Sequence, residues 1–293
     1  MSESAVCAVI ITFQPPPPAL ENLAKVRLQV EGLVVVDNGS SASSLALFRA
    51  AMSEMKFTLI ENGANLGIAA ALNIGVRWAK ARGFNHVVLF DQDSTVTPGF
   101  MGAMRSTYDG QPRRAQIAIV MPRYRDGEGG EVPKCRFVAP DGAPLEVMTS
   151  GSFIPVSVFD SCGGFREEFF IDQVDHEFGF RVREWGFIVV VSEDAFLIHV
   201  PGSPREHSFL GVLRFKATHH NAMRRYYMTR NGIVMVRRYW KSHPVWSRSV
   251  AKALLMLPIQ VVLAERQKWK KLRNILLGTV DALRGRLGYV DLG

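Results

Sequence analysis

Cysteine is scarce in this chain of 293 residues: Cys7, Cys135 and Cys162 are the three copies, and no C-x-x-C spacing joins them. An odd count at such spacing argues against a disulfide framework and a thiolate zinc site, and makes a reducing cytoplasm the expected setting. The N-terminal stretch MSESAVCAVIITF has no basic segment ahead of its apolar run, so it reads as a β-strand and not as an export signal. Long hydrophobic runs are missing too. The most apolar window, ALLMLPIQVVLA at 253–264, is interrupted by Pro258 and falls short of the ~20 residues that span a bilayer. No G-x-G-x-x-G follows the first apolar run and no G-x-x-x-x-G-K-[S/T] occurs, which disfavours dinucleotide oxidoreductases and P-loop nucleotide hydrolases.

Acidic residues are scarce in one part of the chain only. The net charge of +8 divides into 17 basic and 23 acidic side chains over 1–200, against 18 basic and 4 acidic over 201–293. The whole positive excess therefore lies in the last third. What remains is a long, 47% hydrophobic chain able to bury a large core. Apolar, β-branched runs at 5–13, 32–37, 57–62 and 86–91 alternate with helical patterns at 19–29, 43–55 and 68–82. That order predicts an α/β fold with a mostly parallel central sheet flanked by helices. The QPPPP segment at 14–18 reads as a stiff βα spacer. Residues 123–142 turn loop-like, 147–159 read as a strand, 163–187 contain an acidic helix, and 189–200 form another strand before a basic helical region running nearly to the end.

Ligands of such sheets sit beyond the C-terminal ends of the strands. The residues there are Thr12, Asp37, Asn62 to Asn65, and Asp91 to Asp93. Asp91-Gln92-Asp93 ends a buried-type strand, and two carboxylates at that spacing can hold a hard divalent cation; a solvated turn is the plainer alternative. Asp37-Asn38 can accept from a pyrimidine N–H, and Asn65 with Gly67 before a helix lets backbone amides approach phosphate or ribose. Asp172, Asp175 and Glu177 lie within six positions, and Arg181 follows six residues after Asp175. Like charges so close favour a general base, although acids also collect at helix N-termini for the dipole. Ser150-Gly151-Ser152 offers either a close approach for a sugar or a simple bulge.

In this order and spacing AVIITF, VVVDNGS, the Asn65-to-Gly75 pattern, LFDQDS, TSGSFIPVSVF, the FIDQVD-x-EF-x-x-R helix and HHNAMRRYYMTRNG (219–232) resemble the inverting glycosyltransferases of family 2, which have the GT-A fold. Within these the chain is most similar to bacterial rhamnosyltransferases that use dTDP-L-rhamnose to build cell-surface polysaccharide. The resemblance covers about residues 5–240. It implies nucleotide-sugar contacts from Thr12, Asp37, Asn38, Asn65, Gly67, Asp91 and Gln92. It implies Mg²⁺ or Mn²⁺ on Asp93 and Asp91, with His199 as a further ligand or diphosphate contact. Aligned on Arg181, Asp175 falls at the position of the family's base, with Asp172 a rival, and Gln173-Val174 depart from the usual Glu-Asp pair. Ser150, Gly151, Asp172, Glu177 and Arg181 fall on the acceptor side, and His219, His220, Arg224 and Arg225 could close over the diphosphate. The other classes left open are a metal-dependent nucleotidyltransferase and a membrane-binding module without activity.

The resemblance divides the chain into a catalytic domain at 1–210 and a basic helical region at 211–293. In that region Trp269, Leu272, Leu276, Val280 and Leu283 recur at helical spacing beside Lys268, Lys270, Lys271 and Arg273. This is the pattern of an interfacial helix on anionic lipid. The alternatives are packing on its own core or on a second subunit in a homodimer. Nucleic acid is disfavoured because no binding motif accompanies the arginines and tyrosines. The expected location is the cytoplasm, peripheral on the inner face of the membrane, with a lipopolysaccharide, O-antigen or other glycan acceptor.

Overall fold

Seven consecutive buried residues, Val6–Thr12, make the first strand (β1), and their β-branched side chains suit a layer covered on both faces. It pairs in parallel with β2 (Gly32–Asp37) on one side and β4 (His86–Asp91) on the other, while β3 (Thr58–Glu61) extends the sheet beyond β2. The connections are α1 (Pro18–Arg27), α2 (Ala42–Met55) and α3 (Ile68–Ala81). Ser41 caps α2 by accepting from the Ser44 amide, and Gly75 lets α3 lie close on the sheet, since a Cβ there would meet Val9 at 2.2 Å. The computed structural model describes residues 5–127, 130, 132, 136–198 and 220–292, with 205–209 and 213–217 as backbone.

Beyond β4 the sheet becomes mixed. After β5 (Thr95–Val96) and α4 (Phe100–Asp109) come β6 (Ile117–Arg125), β7 (Phe153–Pro155), α5 (Val156–Cys162), α6 (Val174–Glu184) and β8 (Ile188–Ile198). Among the described residues eight strands form one sheet in the order β3-β2-β1-β4-β7-β6-β8-β5. Only β7 and β5 run against the rest. The chain divides into two compact units, 1–166 with 175–200, and 167–174 with 201–293. The second unit contains a hairpin of β9 (Arg205–Phe209) and β10 (Leu213–Ala217), then α7 (Ala222–Tyr239), α8 (Pro244–Ala264) and α9 (Lys268–Arg284).

The structure differs from the sequence reading in four places. The expected strand at 147–159 contains three strand residues; Pro155 ends the pairing and an α-helix follows. The loop expected from 123 starts later, because β6 continues to Arg125 with the Arg125 guanidinium 3.7 Å from the centre of the Phe196 ring on β8. The basic region opens with the β9–β10 hairpin before its helices begin. Pro258 does not end the apolar window: α8 is a 21-residue helix that runs through it, forgoing the bond a 258 N–H would give to the Leu254 carbonyl.

Candidate active site

Parallel register brings the expected strand-end residues to one edge, with Thr12 opposite Asp37 and Ile11 opposite Asp91. Asp37 is buried and heavily engaged. Its carboxylate accepts from the Thr12 hydroxyl (3.0 Å), from the Gly39 and Ser40 amides (3.1 and 2.8 Å) and from the Ser40 hydroxyl. The next loop is tied to it by amides: Asn38 Nδ2 donates to Asn65 Oδ1 (3.0 Å), which also accepts from Gly67 N (3.0 Å), and Asn38 Oδ1 accepts from Leu66 N (3.0 Å). Gly39 sits at φ 91 against the Ala64 backbone, where a Cβ would approach to 2.5 Å. Gly67, at φ 86, opens α3, so the first amides of that helix begin at this loop.

The β4 end is shaped by side-chain pairing. Gln92 exchanges two bonds with the Phe13 backbone, accepting at 2.9 Å and donating at 3.2 Å, and so extends the β1–β4 junction by one rung. Asp91 is half-buried and its amide donates to Ser150 Oγ (3.2 Å); Asp93 is exposed on the turn that follows. Among the described residues no three His, Cys, Asp or Glu side chains gather as a metal cluster, and His199 and His219 lie outside those residues. Two hard oxygen ligands still fit Mg²⁺ or Mn²⁺, which commonly take one or two carboxylates and fill the other positions with water and substrate phosphate.

Asp175 stands in the first turn of α6, with its Oδ1 accepting from the His176 amide (2.9 Å). It borders a crevice of about 10 Å³ together with Leu89, Thr149, Ser152, Phe165 and Phe178, room for no more than a single water. The link between Asp175 and the β4 end is Tyr124, which sequence reading missed because it fell in the supposed loop. Its hydroxyl donates to the Ser150 carbonyl (2.9 Å). Burial pushes the phenol well above its ordinary value, and Asp175 and then Asp91 push it further. Both carboxylates therefore lie within electrostatic reach of one hydroxyl. Ser94, also missed, bonds to Ser150 Oγ at 2.6 Å and fixes the turn carrying Asp93.

Other expected acceptor-side residues are occupied elsewhere. Glu177 is buried in a bidentate pair with Arg181 (2.9 and 3.0 Å), whose guanidinium also donates to the Cys162, Gly163 (3.3 Å) and Gly164 (2.8 Å) carbonyls. The pair staples α6 to the end of α5. Gly151 is buried at φ 83, and its open side is filled by Pro122, which a Cβ would meet at 2.6 Å, so packing and backbone conformation explain this glycine. Asp172 belongs to the second unit. There it pairs with Arg224 (3.1 Å) in a turn where Phe170, Asp172 and Gln173 all have positive φ. Arg225 is bonded to the buried Glu265, which Lys271 also holds (2.6 Å), so the expected pair of diphosphate arginines is engaged in ion pairs.

Residues 7–170 match the family described as glycosyl transferase family 2. The chain is 27% identical to the dTDP-rhamnosyl transferase RfbF of Shigella flexneri over 304 residues, covering 97% of each. Among solved structures it resembles S. aureus TarS with a TM-score of 0.59 at 12% identity, over 96% of this chain and 82% of that one. It also resembles the mannosyltransferase PcManGT from Pyrobaculum calidifontis, in complex with GDP-Man and Mn²⁺, with a TM-score of 0.56 at 15% identity over 96% and 87%.

Proposed function

Because the chain belongs to glycosyl transferase family 2 and is a glycosyltransferase of the GT-A fold, we propose that it transfers L-rhamnose from dTDP-L-rhamnose, with inversion, to a cell-surface glycan or glycolipid acceptor. Lipopolysaccharide or O-antigen intermediates are acceptors of this kind. The similarity to the Shigella flexneri dTDP-rhamnosyl transferase along the whole chain supports this donor. The observation that carries the chemistry is the gathering of Thr12, Asp37 and Asp91 at one sheet edge, with the Asp91 amide and the Tyr124 hydroxyl both bonded to Ser150; the upward push of both Asp175 and Asp91 on the Tyr124 phenol supports a base beside this donor edge.

In the proposed reaction Asp175 takes the proton of the acceptor hydroxyl as its oxygen bonds to the anomeric carbon. The bond from that carbon to the diphosphate breaks on the opposite face, dTDP leaves, and the configuration inverts. Thr12, Asp37, Asn38, Asn65, Gly67 and Gln92 form the nucleotide side, where the engaged Asp37 must release one of its own bonds, the rotatable Ser40 hydroxyl being the cheapest, to accept from a thymine N–H. Mg²⁺ or Mn²⁺ held by Asp93 and Asp91 would neutralise charge on the departing diphosphate. A lipid-linked acceptor places the enzyme at the inner face of the membrane as a peripheral protein.

The test is turnover of dTDP-L-rhamnose beside UDP-glucose and GDP-mannose, with Mn²⁺ and with chelator. Preference for dTDP-L-rhamnose, lost on chelation and reduced roughly 10²- to 10⁴-fold in Asp175→Asn, is expected. Equal use of all donors would remove the rhamnose assignment, and full activity in Asp175→Asn would remove the base.

A further inference from the structure

We propose that the exposed ridge of α8, flanked by the outer face of α9, is the surface that seats the protein on anionic phospholipid; this rests on the reading that the acceptor is lipid-linked. On α8, Leu255 is 77% exposed, and Met256, Ile259, Val262 and Leu263 are exposed beside it, a stripe at helical spacing. Only 17% of the most apolar window of this helix is buried. Trp246, Leu257 and Val261 bury its other side. On α9, Trp269 (86%), Leu276 and Leu283 (64% each) are exposed in the same way.

Charge identifies the occupant. Lys241, Arg248, Lys252, Arg266, Lys268, Lys270, Arg273, Arg284 and Arg286 are all exposed around these side chains. The two acids between 241 and 286 are turned to the protein: Glu265 is buried between Arg225 and Lys271, and Asp281 accepts from the Tyr226 hydroxyl (2.7 Å). A second copy docked through this face about a two-fold axis would set these cations against cations, with Asp291 alone exposed among the described acids of 241–292 to answer them. An anionic bilayer matches both features, with apolar side chains in the acyl boundary and cations on headgroups. Although α8 has the length to cross a membrane, Arg248 and Lys252 fall on the line of the exposed stripe and its opposite face is packed. It therefore lies along the interface rather than through it.

Flotation of the full chain with phosphatidylcholine vesicles, and with vesicles containing phosphatidylglycerol, tests this. Binding to the anionic vesicles alone is expected, with a blue shift of tryptophan emission that Trp269→Phe diminishes. Leu255→Ser with Ile259→Asp should weaken binding by at least roughly tenfold, and donor hydrolysis in solution should be unchanged. No flotation with either vesicle would overturn the proposal while leaving the transferase reading intact. A dimer in light scattering that the same two substitutions dissociate would overturn it in favour of a subunit interface. Flotation without any donor turnover would instead remove the transferase reading and keep this one.

Discussion

Asp175 and Glu177 lie two positions apart in the first turn of α6, yet their surroundings differ, and with them the roles proposed for the two acids. Glu177 is buried and closed by Arg181, whereas Asp175 borders the crevice lined by Leu89, Thr149 and Ser152. Removing one partner of a buried pair leaves the other charge uncompensated, so Glu177→Ala should cost about 3 kcal/mol or more in urea unfolding. Asp175→Asn should leave the unfolding midpoint within about 0.5 kcal/mol and lose turnover instead. If Glu177→Ala lost rate at full stability, the two roles would have to be exchanged. A second residue-scale consequence concerns His86, clustered with the rings of Phe153 (4.9 Å) and Tyr108 (5.0 Å), its Nδ1 buried and unbonded. Burial lowers its pKa from 6.5 to about 4. The unfolded chain then binds a proton below pH 6.5 that the native state refuses until about pH 4. Stability should therefore fall by about 3 kcal/mol as pH drops through that window. His86→Phe removes this contribution, and its unfolding free energy should decline less steeply from pH 6.5 to 4 than that of the parent; parallel profiles would mean the imidazole is not the cause.

At the scale of elements, the turn at 167–173 depends on α7. Asn231, fully buried, donates from one amide nitrogen to the carbonyls of Phe169 (2.8 Å), Ile171 (2.8 Å) and Asp172 (3.0 Å), and Arg230 adds a bond to the Glu168 carbonyl (2.9 Å). Three non-glycine residues with positive φ in four positions are held in place by these bonds. Asn231→Asp keeps the volume and loses every donor, so it should destabilise by about 2 to 3 kcal/mol, read as an earlier urea midpoint for the residues of this unit. An unchanged midpoint would show that the turn holds itself. Nothing in the sequence around 231 announces this role, because the partners lie some sixty residues away. The same limit explains what was and was not legible. β1 to β4 could be read because continuous apolar runs and strand-end polar residues are local signals. At Gly151 the sequence leaves a close sugar approach and a simple bulge both open, because its neighbour Pro122 is a non-local fact, and Tyr124 is hidden because the charged residues around it mask a strand whose arginines lie against β8. Asp37 and Asn65 stand out in the sequence by position, but the bond of Asp37 with Ser40 and that of Asn65 with Asn38 need coordinates.

Across the whole molecule the charge is segregated, 17 basic and 23 acidic side chains up to residue 200 and 18 and 4 after it. A uniform charge of +8 would attract any polyanion weakly. A segregated one directs attraction through the last third alone, where nine cations between Lys241 and Arg286 are exposed around α8 and α9. Attraction between exposed charges and a headgroup layer is screened as the Debye length shrinks from about 10 Å at 0.1 M salt to about 3 Å at 1 M. The carboxylates of the proposed site act over hydrogen-bond distances and are screened much less. Transfer to an acceptor carried in anionic vesicles should therefore fall by roughly tenfold between about 0.05 and 0.5 M sodium chloride, as several contacts of about 1 kcal/mol each weaken. Hydrolysis of the donor in solution should change by less than about twofold over the same range. Initial rates measured in both assays from one preparation make the comparison. If both fell together, the salt would be acting on the nucleotide-sugar site. If neither fell, the basic third would have some partner other than the lipid surface.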